Sequence, residues 1–189
     1  MTATYLCAVG LAASLGTVSL SANAASPLTN SVPAYWAQHD EIDELDDLPH
    51  PYRCDDLYFK YRDVLLRLGA QPGMKIYAYG CSRAGRPASG TPRVDLTYAV
   101  PREMPVTGPH SVGLNAARAT VKLAPGEPKS LTPDDCVLLN DMRQTVLSSF
   151  ANSMNASSLH CSAARTSKHF ALVVQTLLPV ETGVSPPAS

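Results

Sequence analysis

The chain has 189 residues, with 15 Lys and Arg against 16 Asp and Glu, and 45% apolar and 16% charged residues. That apolar share excludes disorder by composition, and a net charge of −1 excludes nucleic-acid binding driven by overall charge. The length left after the leader described next is that of one ordinary domain.

Residues 1–24 carry no charged side chain. An apolar run from Tyr5 to Leu20, followed by Ala22, Asn23 and Ala24, reads as a secretory signal with its cut near Ala24. The run departs from the usual pattern in having no Lys or Arg near Met1. Gly16, Ser19, Ser21 and Ala22 cut it short of the roughly 20 residues that an anchor needs. Cys7 lies inside the apolar core, too near the start for an acylated lipoprotein cysteine. No later run approaches a span, so the processed product is expected to be secreted or periplasmic, without membrane attachment.

Residues 25–48 read as a linker, Ser26 to Pro33, followed by a short acidic helix from Ala34 to Asp47 that holds Tyr35 and Trp36. Pro49 and Pro51 end it. Residues 49–180 read as a single α+β domain and 181–189 as a disordered tail. Within the domain, Cys54, Leu57, Tyr58, Tyr61, Val64, Leu65 and Leu68 recur at helical steps up to Gly69. Cys136, Leu139, Met142, Val146, Leu147 and Phe150 nearly repeat the pattern. Asp55 and Asp56 complement the dipole at the start of the first helix, and Thr132, Pro133 and Asp134 open the second. Strands are expected at Met74 to Cys81, Val94 to Val100, Ala119 to Leu123, Ser158 to Ser162 and His169 to Leu178. The last is apolar enough for a central strand covered on both faces.

Once the signal is removed, four cysteines remain, which allow three pairings in an exported chain. Each half offers a cysteine opening a helix and a second one ending a strand. A helix from Cys54 to Gly69 rises roughly 22 Å at about 1.5 Å per residue, and a strand from Met74 to Cys81 returns roughly 23 Å at about 3.3 Å per residue. Cys54 is therefore expected to meet Cys81, and by the same reasoning Cys136 to meet Cys161. A zinc site would need closely spaced cysteine pairs that are absent here. The fold expected is one antiparallel sheet of about five strands with two helices on one face, built from two αββ-like halves and stabilised by disulfides. Strict alternation puts Cys81 on the face of Lys75, Tyr77 and Tyr79, so those tyrosines are expected under the helix. The alternative is a bulge at Gly80 that re-aims Cys81.

Chemical motifs are sparse. Gly80 to Ala84 resembles a G-x-S-x-G turn and makes Ser82 a candidate nucleophile, but such a turn belongs where a strand enters a helix, and here a Pro- and Gly-rich stretch follows. His39, His50, His110, His160 and His169 form no zinc-binding pair. His39 with Asp40, Glu41, Asp43 and Glu44 offers hard-cation ligands but lacks a glycine-turned loop, and a solvated face is the plainer reading. Asn155, Ala156 and Ser157 match a glycosylation acceptor, relevant only in a eukaryotic secretory route.

Charge is unevenly distributed. Residues 40–56 hold eight acids and one Arg, whereas residues 60–118 hold nine bases and three acids. In the basic part, Arg83, Arg86 and Arg93 lie in a loop with Pro87, Gly90 and Pro92, and guanidinium groups favour carboxylates and phosphates. That loop is the candidate contact for an acidic partner or anionic ligand, set against a merely solvated hairpin loop. The leading expectation is a small exported, disulfide-stabilised, non-enzymatic protein that binds a protein partner or anionic ligand, with no cofactor. The alternatives are a hydrolase with an unrecognised site and a periplasmic metal-binding protein.

Overall fold

The computed structural model describes residues 31–46, 48, 51–84, 87–104, 113–150, 153–155, 159, 161 and 170–180. The expected signal segment, residues 25–30, the tail 181–189, and the expected strand Ser158 to Ser162 apart from Leu159 and Cys161 lie outside them.

Among the described residues, six strands form one antiparallel sheet: β1 (Ser31–Glu44), β2 (Lys75–Tyr79), β3 (Arg93–Glu103), β4 (Leu114–Leu123), β5 (Ser153–Asn155) and β6 (Leu172–Pro179). Their order is β2-β3-β1-β4-β6-β5. Two helices, α1 (Cys54–Arg67) and α2 (Cys136–Gln144), cover one face. Each half of the chain runs strand, helix, strand, strand. In each, the last strand returns beside the first, the short strand takes the sheet edge, and the halves meet where β1 pairs with β4. The expected αββ halves are present, and each has a leading strand as well.

That leading strand corrects the reading of Ala34 to Asp47 as a helix. β1 pairs with β3 from Ala34 opposite Glu103 to Glu44 opposite Arg93, and its first residues pair with β4. It therefore separates β3 from β4, which are not the sheet neighbours that chain order suggested. Asp43 and Leu45 are buried, while Ile42 and Glu44 are exposed. Ala, Gln and Glu favour helix by only tenths of a kcal/mol per residue, and the long ladder with β3, joined by β4 at Ser31 to Ala34, outweighs that preference.

α1 follows its sequence pattern except at Tyr58, which is 37% exposed. Leu57, Tyr61, Val64 and Leu65 are fully buried. Gly69, at φ +95°, ends the helix: its N–H donates to Leu66 O at 3.0 Å, and Ala70 N–H donates to Leu65 O at 2.9 Å, closing the last turn. α2 is shorter than the expected Cys136 to Phe150. It stops at Gln144, and a single 3-10 turn, Leu147–Ser149, replaces its last part. The hydroxyls of Thr145, Ser148 and Ser149 each bond a nearby carbonyl, at Asp141, Thr145 and Val146, a local competition that weakens helices.

Both expected disulfides are present, Cys54–Cys81 with 5.2 Å between Cα atoms and Cys136–Cys161 with 5.6 Å. The face assignment in β2 is corrected. Ile76 and Ala78 are buried under the helix layer, and Tyr77 and Tyr79 are 56% and 44% exposed. Cys81 still turns inward because Gly80 breaks the alternation at φ +71°. A side chain there would place Cβ 2.2 Å from Thr91 O. β6 is likewise not covered on both faces: Leu172, Val174 and Thr176 are buried but Gln175 is exposed, and the strand lies beside edge strand β5.

Candidate functional site at the β2 edge

Among the described residues, β2 has a partner strand, β3, on one flank only. Along its other flank runs a groove of about 680 Å³ between β2, the first turns of α1 and the turn at residues 81–84, lined by Asp55, Tyr58, Tyr77, Ala78, Tyr79 and Arg83 among others. Its size falls within the range of ligand clefts. One corner is fixed three times over. The Cys54–Cys81 bridge joins α1 to the end of β2, Cys54 N–H donates to Ser82 O at 2.9 Å, and Ser82 N–H donates to Tyr52 O at 3.2 Å. Tyr58, Phe59, Tyr77 and Tyr79 are, with Ile42, the large apolar side chains exposed among the described residues. Four of these five therefore stand on the two elements that wall the groove.

Two arginines of the expected contact loop, Arg83 and Arg93, line different grooves. Arg83 is exposed, lines the groove, and donates from Nη2 to Ala78 O at 3.2 Å. Arg93 stands on β3 instead of in the loop. It pairs with Asp95 at 2.9 Å, lies over the Tyr79 ring at 5.4 Å, and lines a separate groove with Glu44 and Asp46. Arg86 lies outside the described residues.

The other sequence candidates fare as follows. Ser82 donates its hydroxyl to Tyr52 O at 3.2 Å and forms an isolated parallel bridge with Arg53. The chain then continues into a turn at Ala84, so the strand-to-helix elbow of a serine hydrolase is not formed. Because β1 is a strand, His39 and Asp43 point to the helix face, and Asp40 and Glu44 to the other. Among the described residues, no group of three or more His, Cys, Asp or Glu side chains converges as metal ligands. His50, His110, His160, His169, Ala156 and Ser157 are outside them.

Other polar groups are buried or half-buried: Lys60 and Asp135, which no sequence pattern marked, and Asp43 and His39, named above as candidate cation ligands. Lys60 on α1 extends to Asp135, just before α2, with Nζ 2.5 Å from Oδ2, and also donates to Ser130 O at 2.7 Å. Asp135 is fully buried and accepts further bonds from Tyr52 Oη at 2.8 Å and from Thr132 N and Oγ1 at 2.6 and 2.8 Å. It is satisfied on all sides and ties the two halves together. On β1, Asp43 accepts a bond from Tyr61 Oη. Burial raises its pKa above the usual value, offset in part by the Tyr61 and Thr145 hydroxyls. His39 stacks on Tyr98 with ring centroids 5.6 Å apart, and burial lowers its pKa. Tyr98 hydrogen-bonds Ser149 Oγ at 2.8 Å, and burial pushes its phenol up to about 12. Asp43, His39 and Tyr98 brace sheet against helices, whereas Lys60 and Asp135 join the helices and line a separate groove with Tyr52, Phe59 and Thr132. None of these groups lines the β2 groove.

Sequence reasoning reached Arg83 but missed Tyr58, Tyr77 and Tyr79 as surface groups, because it assigned the tyrosines to the core. For Tyr77 and Tyr79 the telling residue is Gly80, the alternative given above, whose positive φ releases Cys81 from the alternation of β2. No helix among the described residues is long and apolar enough to cross a membrane. Comparison with family models, with curated proteins and with solved structures finds no match.

Proposed function

We propose that this protein is an exported, non-enzymatic binding module that takes an extended peptide segment of another protein as a further strand on β2. The observation that carries the reading is an edge strand whose free flank opens into a groove walled by exposed tyrosines. Edge strands are usually short, charged or covered, because their unpaired N–H and C=O groups recruit other chains. Here an edge covered only at Ala78 O, by Arg83, stands beside Tyr58, Tyr77 and Tyr79, side chains suited to an interface because each pairs a large apolar surface with a polar tip. Strand addition of this kind draws affinity from main-chain hydrogen bonds and selectivity from the flanking side chains. Two disulfides support export into an oxidising compartment, where they persist.

The test is fluorescence anisotropy with a labelled hexapeptide, Thr-Val-Glu-Val-Thr-Val, and a copy methylated on alternate backbone nitrogens. The unmodified peptide is expected to bind, and methylation on the pairing edge to abolish binding. Equal binding of both forms would overturn strand addition.

A further inference from the structure

Arg83 lies across the edge that an added strand has to use. Its guanidinium donates to the carbonyl of Ala78 at 3.2 Å, and both residues line the groove. An added strand pairing at Ala78 would lie where the Arg83 guanidinium sits, so Arg83 has to move aside. Among the described residues Arg83 makes no ion pair, whereas the acid of the same groove, Asp55, is matched by Arg53 at 3.7 Å. Lys75 adds a second exposed positive charge at the far end of β2. The groove thus holds an unneutralised cation beside a strand edge.

Resting on the strand-addition reading, we infer that the segment taken by β2 carries a carboxylate side chain that Arg83 engages as its guanidinium leaves Ala78. In the free protein Arg83 guards the edge, a charged cover of the kind that deters indiscriminate pairing. In the complex it selects the segment, because its planar fork matches a carboxylate with two parallel hydrogen bonds. A neutral segment displaces the same hydrogen bond and gains nothing in return. Discrimination therefore comes from one residue in two roles.

The experiment compares the labelled hexapeptide Thr-Val-Glu-Val-Thr-Val with Thr-Val-Gln-Val-Thr-Val, on the wild-type protein and on Arg83→Gln. Arg83 is exposed, so the variant is expected to fold, and circular dichroism checks that it does. The wild type is expected to bind the Glu peptide about fivefold more tightly than the Gln peptide, with the preference shrinking in added salt. In Arg83→Gln the ratio is expected to fall to about one, with the Gln peptide bound at least as tightly as by the wild type. Equal affinity of the two peptides on the wild type, or a Glu preference that survives in Arg83→Gln, would overturn the selection by Arg83 and leave strand addition standing. Absence of binding by either peptide would overturn both.

Discussion

Asp43, on the central strand β1, accepts a hydrogen bond from the phenol of Tyr61 on α1, and the two residues are 1% and 0% exposed. A carboxylate inside the sheet–helix interface is costly when ionised, and burial is the largest influence on it, raising its pKa above 3.8. The folded protein therefore holds this proton more tightly than the unfolded chain does. Stability contributed by Asp43 is fully present below the unfolded value and declines as pH rises from 3.8 through the raised folded value. Asp43→Asn keeps an oxygen to accept from Tyr61 and removes the titration. Its urea midpoint at pH 7 is expected to equal or exceed that of the wild type, with a flatter pH profile at mildly acid pH. A wild-type midpoint that rises through this range, with the rise lost in the variant, would contradict the account. Tyr61→Phe is expected to cost about 1–3 kcal/mol by removing the donor.

Lys60 and Asp135 form the buried ion pair that joins α1 to the start of α2. Lys60→Met leaves a fully buried carboxylate held only by Tyr52 and Thr132, and is expected to lower unfolding free energy by about 3 kcal/mol. A second replacement, Asp135→Asn, is expected to recover part of that loss, because the unpaired charge and not the lost attraction is what destabilises. Urea titration of the two variants checks both statements.

Gly80 is expected to tolerate no side chain. Gly80→Ala combines a left-handed backbone conformation, costing about 1–2 kcal/mol, with a contact at 2.2 Å from Thr91 O that backbone movement has to relieve. The loss is expected to exceed the conformational cost alone. Slower formation of the Cys54–Cys81 bridge on oxidative refolding, followed by peptide mapping, reports whether Gly80 aims Cys81.

The two disulfides are expected to be alike in stability and unlike in function. Replacing both members of either pair by serine should remove on the order of 3 kcal/mol. Loss of Cys54–Cys81 also frees the corner that sets α1 against β2. Affinity for the strand peptide should then drop several-fold, while loss of Cys136–Cys161 leaves it unchanged in protein that remains folded. Equal effects on binding would contradict a site at the β2 edge.

The Cys54–Cys81 pairing was legible because α1 and the returning β2 leave their ends together, a matter of rise per residue. Cys136–Cys161 also forms, but α2 has nine residues and β5 three, so matched lengths do not account for it. α1 was legible because its apolar stripe and Gly69 agree. β1 was not: its stretch of Ala, Gln, Asp and Glu has helical propensity, and only pairing with β3 and β4, distant in sequence, makes it a strand. The early end of α2 depends on hydroxyl-to-carbonyl bonds that no periodicity reveals. At the candidate site, Arg83 could be picked out by charge and loop context. Tyr77 and Tyr79 were open to either face: strict alternation from Cys81 put them inward, and only the alternative of a break at Gly80, which the structure has at φ +71°, puts them outward. The separation of Arg93 from Arg83 follows from β3 starting at Arg93, where Asp95 holds it.

Amide hydrogen exchange of the oxidised protein, with and without the hexapeptide Thr-Val-Glu-Val-Thr-Val, tests strand addition most directly. The amides of β2 at Ile76 and Ala78 are expected to gain protection on binding while those of edge strand β5 are unaffected. Protection that appears elsewhere, with none gained along β2, would contradict the account.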